Sequence, residues 1–511
     1  MTQAAGGRTL VEIRHGSYHD SVTLLQVSTR LAGLPSVAAA QVAMATPLNL
    51  DVLESMGFVL PGTVPDDLVV ALRVDDDADD PDEVVEAALA ALEDALRRRE
   101  TPSGASDHDP PRTTAGSLRR DPSPLVLVSV PGAHAATEAW DALDNGASVM
   151  LFSDNVPLDD EVALKTAATE RGLLVMGPDC GTAVVGGVGL GFANAVRPGP
   201  VSLVAASGTG AQHLMALLDQ AGVGVRHCIG LGGRDLGAAV GGLGARNALT
   251  VLSSDDATEL VVVVSKPADP EVVSGLEAHA ATLGTELVWA VLGHDQPDLT
   301  TAAEAVLDRV GVPRPAWRTW GDVPVPGEGG LLRGLFAGGT LCDESMALAA
   351  RRLGPVASNV PLDPAWPSLE ASGPGALSAA FAGAGHAVVD LGDDTLTVGR
   401  AHPMIDPTLR LDALSEAGDD PRVRVVLLDV VLGHGAHPDP AAAHGPAITA
   451  AVAAAAQGGR VLDVVVSLVG TAADPQGLDR QGEALDAAGA HVLVSNAQAT
   501  TIAIDLAEGR R

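Results

Sequence analysis

Short apolar runs recur from residue 125 onward, and most are separated by amphipathic helical patterns. Such runs are typical of strands buried on both faces, and their alternation with helices is typical of parallel sheets. A Pro- and Gly-rich segment at residues 312–330 interrupts the alternation. The pattern predicts two doubly wound units with strands at Leu125–Val130, Val149–Phe152, Leu173–Met176, Val201–Ala205, Val225–Leu231, Leu260–Val264, Leu287–Leu292, Leu332–Ala337, His386–Leu391, Val423–Val430, Val461–Ser467 and Val492–Ser495.

The first hundred residues show a different pattern. Strands are predicted at Leu10–Ile13, Val37–Met44 and Leu68–Leu72, with helices at about 17–31 and 83–99. This arrangement is typical of a small α/β or ferredoxin-like domain. Residues 101–123 are rich in Pro, Gly, Ser, Thr, Asp and Arg and have no apolar period, so they are predicted to form an exposed linker.

Composition excludes several classes of function. A net charge of −34 and an aromatic content of 2% are unsuited to binding a phosphate backbone or stacking on bases. We interpret the acidity as favouring solubility rather than recruitment of a basic partner. Cys180, Cys228 and Cys342 form no CxxC pair, so no zinc or iron–sulfur site is expected. Without a signal-like apolar core or an apolar run of about 18 residues, a cytoplasmic protein is expected.

Four predicted strands end in glycine or small polar residues. In open parallel sheets ligands bind beyond the carboxyl ends of the strands, where the next helix presents free N–H groups. Glycine permits close approach of a ligand, Ser and Thr can cap a helix or bind phosphate, and His434 can donate a hydrogen bond or shuttle a proton. The four turns are Ser207-Gly208-Thr209-Gly210, Gly433-His434-Gly435, Gly177-Pro178-Asp179-Cys180 and Gly338-Gly339-Thr340.

Each of these turns is equally compatible with an ordinary strand-to-helix connection. Cys180 could be a nucleophile, but no adjacent base is visible, so a small buried thiol is the simpler interpretation. By themselves these residues indicate an α/β protein with several loops suited to anions.

At these residues the chain resembles the succinyl-CoA synthetase superfamily and, more narrowly, the FdrA family. The segments FSDNVPLDD, VMGPDCG, VSLVAASGTGAQ and CIGLGGRDL are similar to the synthetase α subunit. Residues 328–511, with VVLLDVVLGHG, resemble the carboxyl-terminal domain of the β subunit, and IRHGSYHDSVTLLQVS near the N-terminus is similar to FdrA proteins. The resemblance covers nearly the whole chain outside the linker.

The resemblance implies the following domains: an N-terminal FdrA-type α/β domain at 1–100, a linker at 101–123, a partial Rossmann-like CoA-binding-type domain at 124–198, and two flavodoxin-like domains of the synthetase α and β types at 199–312 and 328–511. In the synthetases, helices from the last two domains direct their N-termini at a phosphorylated histidine. By resemblance those helices begin here at Ser207–Gly210 and Gly433–Gly435.

Three departures from the synthetases change the expected chemistry. No phosphohistidine loop follows the strand Leu287–Leu292, and His294 comes too early to replace it. Lys266 stands near the place of a glutamate that orients the histidine, and a cation there suits a phosphate or carboxylate oxygen. A solvated lysine at a strand end is the alternative. The glycine-rich CoA-binding turn and an ATP-grasp domain are not found.

The resemblance therefore implies a hetero-oligomeric carbamoyltransferase of ureide (allantoin and purine) breakdown, interconverting oxalurate plus phosphate with oxamate plus carbamoyl phosphate. Phosphate would bind the N–H groups of the turns named above, with Lys266 and His434 in catalytic roles. Phosphate chemistry admits Mg²⁺, for which no ligand set is identified, and no CoA or nucleotide site is expected in this chain alone. The alternatives are an acyl-CoA synthetase subunit completed by a partner and a non-catalytic scaffold.

Overall fold

The described residues fall into two compact units. The computed structural model describes residues 8–15, 21–46, 49–50, 52–53, 56–64, 67–75, 78, 80–100, 111–293, 296–322, 324, 327–369, 376–397 and 401–510. The first unit consists chiefly of residues up to 110, and the second consists of nearly all the rest.

In the part of the chain that the structure describes, the first unit contains a three-stranded antiparallel sheet and helices that pack on it. Its elements are β1 (Thr9–Arg14), α1 (Ser21–Ala32), β2 (Val37–Met44), β3 (Leu68–Val74) and α2 (Pro81–Glu100). The strand order is β1-β3-β2. Apolar side chains fill both faces of β3, because Leu68, Val70 and Leu72 pack on the helical side while Val69 and Ala71 face a second small core. The predicted small α/β domain is confirmed.

Among the described residues, the second unit contains three sheets. Its strands are β4 (Leu125–Val128), β5 (Ser148–Leu151), β6 (Val175–Met176), β7 (Thr182–Val185), β8 (Val188–Gly191), β9 (Val201–Ala205), β10 (Val225–Gly230), β11 (Leu260–Ser265), β12 (Leu287–Val291), β13 (Thr319–Trp320), β14 (Leu331–Phe336), β15 (Ala387–Asp390), β16 (Val423–Val431), β17 (Asp463–Val469) and β18 (Ala490–Leu493).

Helices connect most of these strands. They are α3 (Thr114–Arg120), α4 (Gly132–Asp144), α5 (Leu158–Glu170), α6 (Gly208–Gln220), α7 (Leu243–Leu252), α8 (Pro270–Leu283), α9 (Leu299–Arg309), α10 (Gly339–Leu353), α11 (Ala376–Gly383), α12 (Asp394–Thr397), α13 (Thr408–Asp419), α14 (Pro440–Gln457), α15 (Leu478–Ala487) and α16 (Asn496–Glu508).

Parallel pairing dominates, as the apolar runs predict. The sheet orders are β4-β5-β6, β12-β11-β9-β10-β7-β8 and β13-β18-β17-β16-β14-β15. Strands β9, β11 and β16 are buried along their whole length because helices cover both faces. The multidomain α/β class is confirmed.

The β7–β8 hairpin and the short strand β13 depart from the predicted pattern, since both pair antiparallel. In the hairpin, Gly186 and Gly187 both have positive φ, as a two-residue turn between twisted strands requires. The Gly-Gly signal is present in the sequence, but no strand is predicted on either side of it.

Residues 111–123, part of the predicted linker, include the short helix α3. Thr113 caps it by accepting a hydrogen bond from Gly116 N at 2.9 Å, and Leu118 is buried. Asp141 of α4 accepts from Ala115 N at 2.7 Å, so this half of the segment is packed rather than free. Residues 101–110 lie outside the described residues.

One hydrophobic core runs through both six-stranded sheets. Leu214 of α6, Val306 of α9 and Leu335 of β14 all belong to it and are fully buried. Helix α6 packs against α9 and α10, and α10 packs against α16. The two sheets are therefore joined rigidly, and turns at their carboxyl ends can meet.

Candidate functional site

The first helix N-terminus follows β9, as predicted. Ser207 is the N-cap of α6, and its Oγ accepts a hydrogen bond from Gly210 N at 3.0 Å. Ser207 and Gly210 are buried, whereas Gly208 is exposed and Thr209 is partly exposed. Ser207 and Gly210 therefore form the floor of the turn, and Gly208 and Thr209 face outward.

The second helix N-terminus follows β14 and is held by a buried carboxylate. Asp429 accepts hydrogen bonds from Ala337 N and Gly338 N, both at 2.8 Å. Arg410 donates to Asp429 Oδ1 at 2.8 Å, and the side chains of this pair are 3% and 0% exposed. The N–H of Gly338 is thus already used. Gly338 supports the start of α10 rather than donating to a ligand.

These two N-termini meet. The hydroxyl groups of Ser207 and Thr340 lie 2.5 Å apart. A Cβ atom built on Gly338 would lie 2.9 Å from three side-chain atoms of Thr209, so the two first turns are in contact. Because aligned peptide dipoles place partial positive charge at each N-terminus, their convergence makes a region suited to an oxyanion.

Four amides of these turns remain available. In the part of the chain that the structure describes, no acceptor meets the N–H groups of Gly208, Thr209, Gly339 and Thr340. The first N–H groups of a helix lack partners within the helix, so these amides can bind a ligand. Gly210 N cannot, because it donates to Ser207.

Lys266 lies at the same place, one residue beyond β11. Its Nζ is 3.3 Å from Asp343 Oδ2 and 2.9 Å from the position of a Cβ built on Gly339. The side chain is 42% exposed, so the ammonium group is paired yet reachable. Burial lowers the pKa of Lys266, but Asp343 and Asp390 outweigh it and raise the pKa above its ordinary value. The lysine is therefore cationic at neutral pH.

Lys266 is one of only two lysines in the sequence, although Lys and Arg together number 31. The other is Lys165, which is 2% exposed and donates to Glu161 and Asp235, both at 2.7 Å. Lys165 is therefore a buried structural residue, and Lys266 is the lysine whose side chain a ligand can reach.

The turn Gly433-His434-Gly435 does not begin a helix, so that expectation is wrong. Helix α14 begins at Pro440 after the N-cap Asp439. Gly433 N donates to Gln476 Oε1 at 3.0 Å and His434 N donates to Ala193 O at 2.8 Å, so these amides are occupied. The local sequence favours a loop because Pro438 and Pro440 interrupt it. The helix that meets α6 is instead α10.

This turn and α6 both contact one intervening segment, which contains Thr182 and Phe192. Thr182 Oγ1 donates to Phe192 O at 2.8 Å and lies 3.2 Å from the position of a Cβ built on Gly208. Phe192 lies 3.0 Å from the position of a Cβ on Gly435. The His434 side chain is exposed, and its Cδ2 is 3.9 Å from a Cβ built on Gly189. His434 therefore lies beside the β7–β8 hairpin.

Pro178 and Asp179 form a turn after β6 with unusual backbone geometry. The Gly177–Pro178 peptide is cis, and Asp179 has a φ of 57°. Asp179 is exposed as a whole residue, but many protein atoms surround its carboxyl group and other acidic side chains lie nearby. Burial, followed by the charges of Asp394 and Asp154, raises the pKa of Asp179 to about 7, although Lys266 and Arg234 oppose this shift. Asp179 is thus within electrostatic reach of Lys266.

Sequence reasoning missed several residues of this region, namely Asp343, Asp390, His402, Arg410 and Asp429. Asp390 could have been found by the strand-end argument, since it ends β15 and precedes Gly392. Asp343 and Arg410 lie within helices and carry no local signal. Burial raises the pKa of Asp343, although Lys266 opposes this. His294 lies outside the described residues.

Within the described residues, no helix has the length and apolar character needed to cross a membrane. The same residues contain no cluster of three or more His, Cys, Asp or Glu side chains able to hold a metal ion.

Two known families match parts of the chain. Residues 7–111 match the family described as "AllF, heavy metal-associated domain", and residues 335–506 match the family described as "CoA-ligase". The first segment contains no cysteine in this chain. The second begins near the end of β14 and covers the rest of that sheet from β15 to β18 and the N-terminus of α10.

Three curated proteins are similar in sequence to this chain. The uncharacterized protein YahF of Escherichia coli is 38% identical over 504 residues, which cover 94% of this chain and 95% of YahF. The succinate–CoA ligase [ADP-forming] subunit alpha of Methanothermobacter thermautotrophicus is 27% identical over 27% of this chain and 47% of its own length. The ADP-forming sulfoacetate-CoA ligase subunit SauD of Bilophila wadsworthia is 25% identical over 32% and 58%.

The match to YahF extends over nearly the full length of both proteins, and the CoA-ligase match falls on one of the two six-stranded sheets that form the candidate site. The chain therefore belongs with YahF to an FdrA-type family of the succinyl-CoA synthetase-like superfamily.

Proposed function

We propose that this chain is the phosphate-binding subunit of an oxamate-carbamoyltransferase-like complex. In the proposed reaction, a phosphate oxygen attacks the carbamoyl carbon of oxalurate. A C–O bond forms, the C–N bond to oxamate breaks, and a proton is delivered to the oxamate nitrogen. The products are carbamoyl phosphate and oxamate.

The observation that carries this proposal is the contact between the N-termini of α6 and α10. The open amides of Gly208, Thr209, Gly339 and Thr340 supply hydrogen-bond donors that need no rearrangement. Such donors stabilise negative charge as it develops during the reaction. Lys266 adds a full positive charge beside Gly339.

Proton transfer requires a second group. His434 is the proposed donor to the leaving nitrogen, because it is exposed on a turn that neighbours α6 through Thr182 and Phe192. Pro178 and Asp179 would face the organic part of the substrate. The sequence departures at the phosphohistidine loop and the CoA-binding turn favour a reaction that needs neither group.

A second candidate is an NDP-forming acyl-CoA ligase subunit. The CoA-ligase match over residues 335–506 and the relatives named as CoA ligase subunits favour it. In that case the same helix ends would hold an acyl phosphate, and a partner would complete the CoA and nucleotide sites.

The test begins with the complex isolated around this chain from its own cells. We expect carbamoyl phosphate to form from oxalurate and inorganic phosphate without CoA or nucleotide. Product formation that depends on both CoA and a nucleoside triphosphate would replace this proposal with the second candidate.

Phosphate binding can be followed on the full chain directly. Lys165 is buried, so reductive methylation with ¹³C-formaldehyde should label Lys266 and the α-amino group. Titration with inorganic phosphate should shift the Lys266 methyl signal. Calorimetry, which does not need the Lys266 methyl signal, should show that the Lys266→Met variant binds phosphate about tenfold more weakly, since hydrogen bonds to charged groups contribute about 1.5–3 kcal/mol. Arg314→Met, which removes an exposed cation distant in sequence, is the control and should bind as the wild type does.

A further inference from the structure

Asp390 ends β15 beside the first turn of α10. Its backbone is fixed by Asn359, whose Oδ1 accepts from Asp390 N at 3.0 Å and whose Nδ2 donates to Asp390 O at 2.8 Å. The residue is 6% exposed. The carboxyl group therefore has a defined position relative to the candidate phosphate site.

The two carboxyl oxygens of Asp390 differ in their surroundings. Oδ1 accepts a hydrogen bond from Gly392 N at 2.9 Å. Oδ2 receives no hydrogen bond from the described residues and lies 2.6 Å from the position of a Cβ built on Gly339. Lys266 Nζ lies 2.9 Å from that same position. Oδ2 is thus an unused acceptor in the space that Lys266 and the open amide of Gly339 share.

His402 adds a donor on the other side of Asp390. Its Nδ1 accepts from Met404 N at 3.2 Å, so the neutral ring carries its proton on Nε2. A Cβ built on Gly392 would lie 2.8 Å from His402 Nε2 and 3.2 Å from Asp390 Oδ1. Burial, and then Arg410, lowers the pKa of His402 to about 4, so the ring is neutral.

The carboxylate of Asp390 affects which ligands can bind at the neighbouring oxyanion site. A ligand that presents only oxygen atoms is repelled by Oδ2, and a methyl group placed there leaves Oδ2 without a hydrogen bond. A ligand that carries an N–H group next to its phosphoryl group satisfies Oδ2. Sites built to bind an N–H group reject analogues that lack it.

We propose that Asp390 is the specificity-determining residue that selects a carbamoyl group over an acyl group, by accepting a hydrogen bond from the carbamoyl NH₂ at Oδ2. This inference rests on the proposed phosphate site, where the phosphoryl oxygens bind the N-termini of α6 and α10. No bond is made or broken by Asp390 in this role.

The preference for a carbamoyl group over an acyl group should depend on pH, because only the ionised carboxyl group of Asp390 accepts hydrogen bonds at both oxygens. Burial raises the pKa of Asp390 to about 7, although Lys266 and the Gly392 N–H oppose the shift. The accepting form therefore becomes more populated as the pH rises through about 7. The titratable groups around Asp390 are Lys266, Asp343, Cys342, Asp393 and His402.

The test compares carbamoyl phosphate with acetyl phosphate, which replaces the NH₂ group by a methyl group. Binding of each to the full chain is measured by calorimetry at about pH 6 and about pH 8. At the higher pH the wild type should prefer carbamoyl phosphate about tenfold, corresponding to about 1.4 kcal/mol. The preference should shrink at the lower pH. Asp390→Asn should bind both ligands about equally at both pH values.

Asp393→Asn is the matched control, since it removes a nearby carboxylate that accepts from Thr395 N. It should keep the preference at the higher pH. If Asp390→Asn retains the wild-type preference, or if the wild type shows none, the assignment of Asp390 is overturned. Failure of both ligands and of inorganic phosphate to bind would instead overturn the phosphate site itself. Circular dichroism and unfolding midpoints confirm that each variant is folded.

Discussion

Gly210 lies at the contact between α6 and α10, and a side chain would not fit there. A Cβ at this position would lie 2.6 Å from Ser207 Oγ and 2.9 Å from Thr340 Cγ2. Both neighbours are buried, so neither can move away easily. The small residue is needed for contact between the helices, even though its own N–H is used by Ser207.

Gly210→Ala should therefore destabilise the larger unit by about 1–3 kcal/mol, the usual cost of overpacking. Phosphate binding should weaken in parallel, because the two N-termini would separate. Urea unfolding and phosphate titration measure the two effects.

The control is Gly275→Ala in α8, where an added Cβ would meet only Arg246 Nη2 at 3.5 Å. This substitution should be neutral or stabilise by about 0.5–1 kcal/mol, the usual gain for Ala over Gly within a helix. Equal stability of the two variants would contradict the packing argument.

At the scale of elements, the start of α10 depends on a pair that lies outside it. Asp429 lies on β16, and its side chain accepts hydrogen bonds from the N–H groups of Ala337 and Gly338. Arg410 of α13 completes this link through Asp429 Oδ1 and the Asp429 carbonyl oxygen, the latter at 2.6 Å. Strand β16 and helix α13 thus determine where the amides of Gly339 and Thr340 point.

Asp429→Asn should cost about 3 kcal/mol or more in unfolding free energy, because it leaves the Arg410 cation buried without its counter-charge. The measurement is the urea midpoint of the larger unit. Asp308→Asn removes a partner of the exposed Arg314 and should have a far smaller effect. A similar loss in both variants would show that burial of the pair is not the cause.

At the scale of the whole larger unit, a buried glutamate joins helices from both six-stranded sheets. Glu344 of α10 accepts from Leu299 N at 2.6 Å and from Asn496 Nδ2 at 2.7 Å. Burial raises the pKa of Glu344 to about 7, although these hydrogen bonds oppose the shift. The folded state therefore favours the protonated form more than the unfolded state does.

The sign of the pH effect follows from this raised pKa. The stability that Glu344 contributes is fully present below about pH 4.5 and is lost as the pH rises through about 7. Glu344→Gln should remove this loss. As the pH rises from 5 to 8, the free energy of unfolding of the variant should therefore increase by on the order of 2 kcal/mol relative to that of the wild type. The exposed Glu277→Gln should follow the wild-type profile. A Glu344→Gln profile parallel to that of the wild type would contradict the argument.

Hydrophobic pattern by itself determined the α/β class and the places of most strands. Val201–Ala205 is predicted at the bounds observed, because a strand buried on both faces is almost continuously apolar, and its one polar side chain, Ser202, is hydrogen-bonded to Thr258. The Ser207 cap is likewise local, since the N–H that its hydroxyl group accepts belongs to Gly210, three residues further along the chain. Such features need no knowledge of the rest of the chain.

Only the tertiary structure decided which helix meets α6. The sequence offers glycine turns after both β14 and β16, and their local chemistry is similar. Asp429 and Arg410 hold the first turn in place, whereas Gln476 and Ala193 take up the amides of the second. The partners lie tens to hundreds of residues away, so their pairing depends on how the sheets are joined and not on any local pattern.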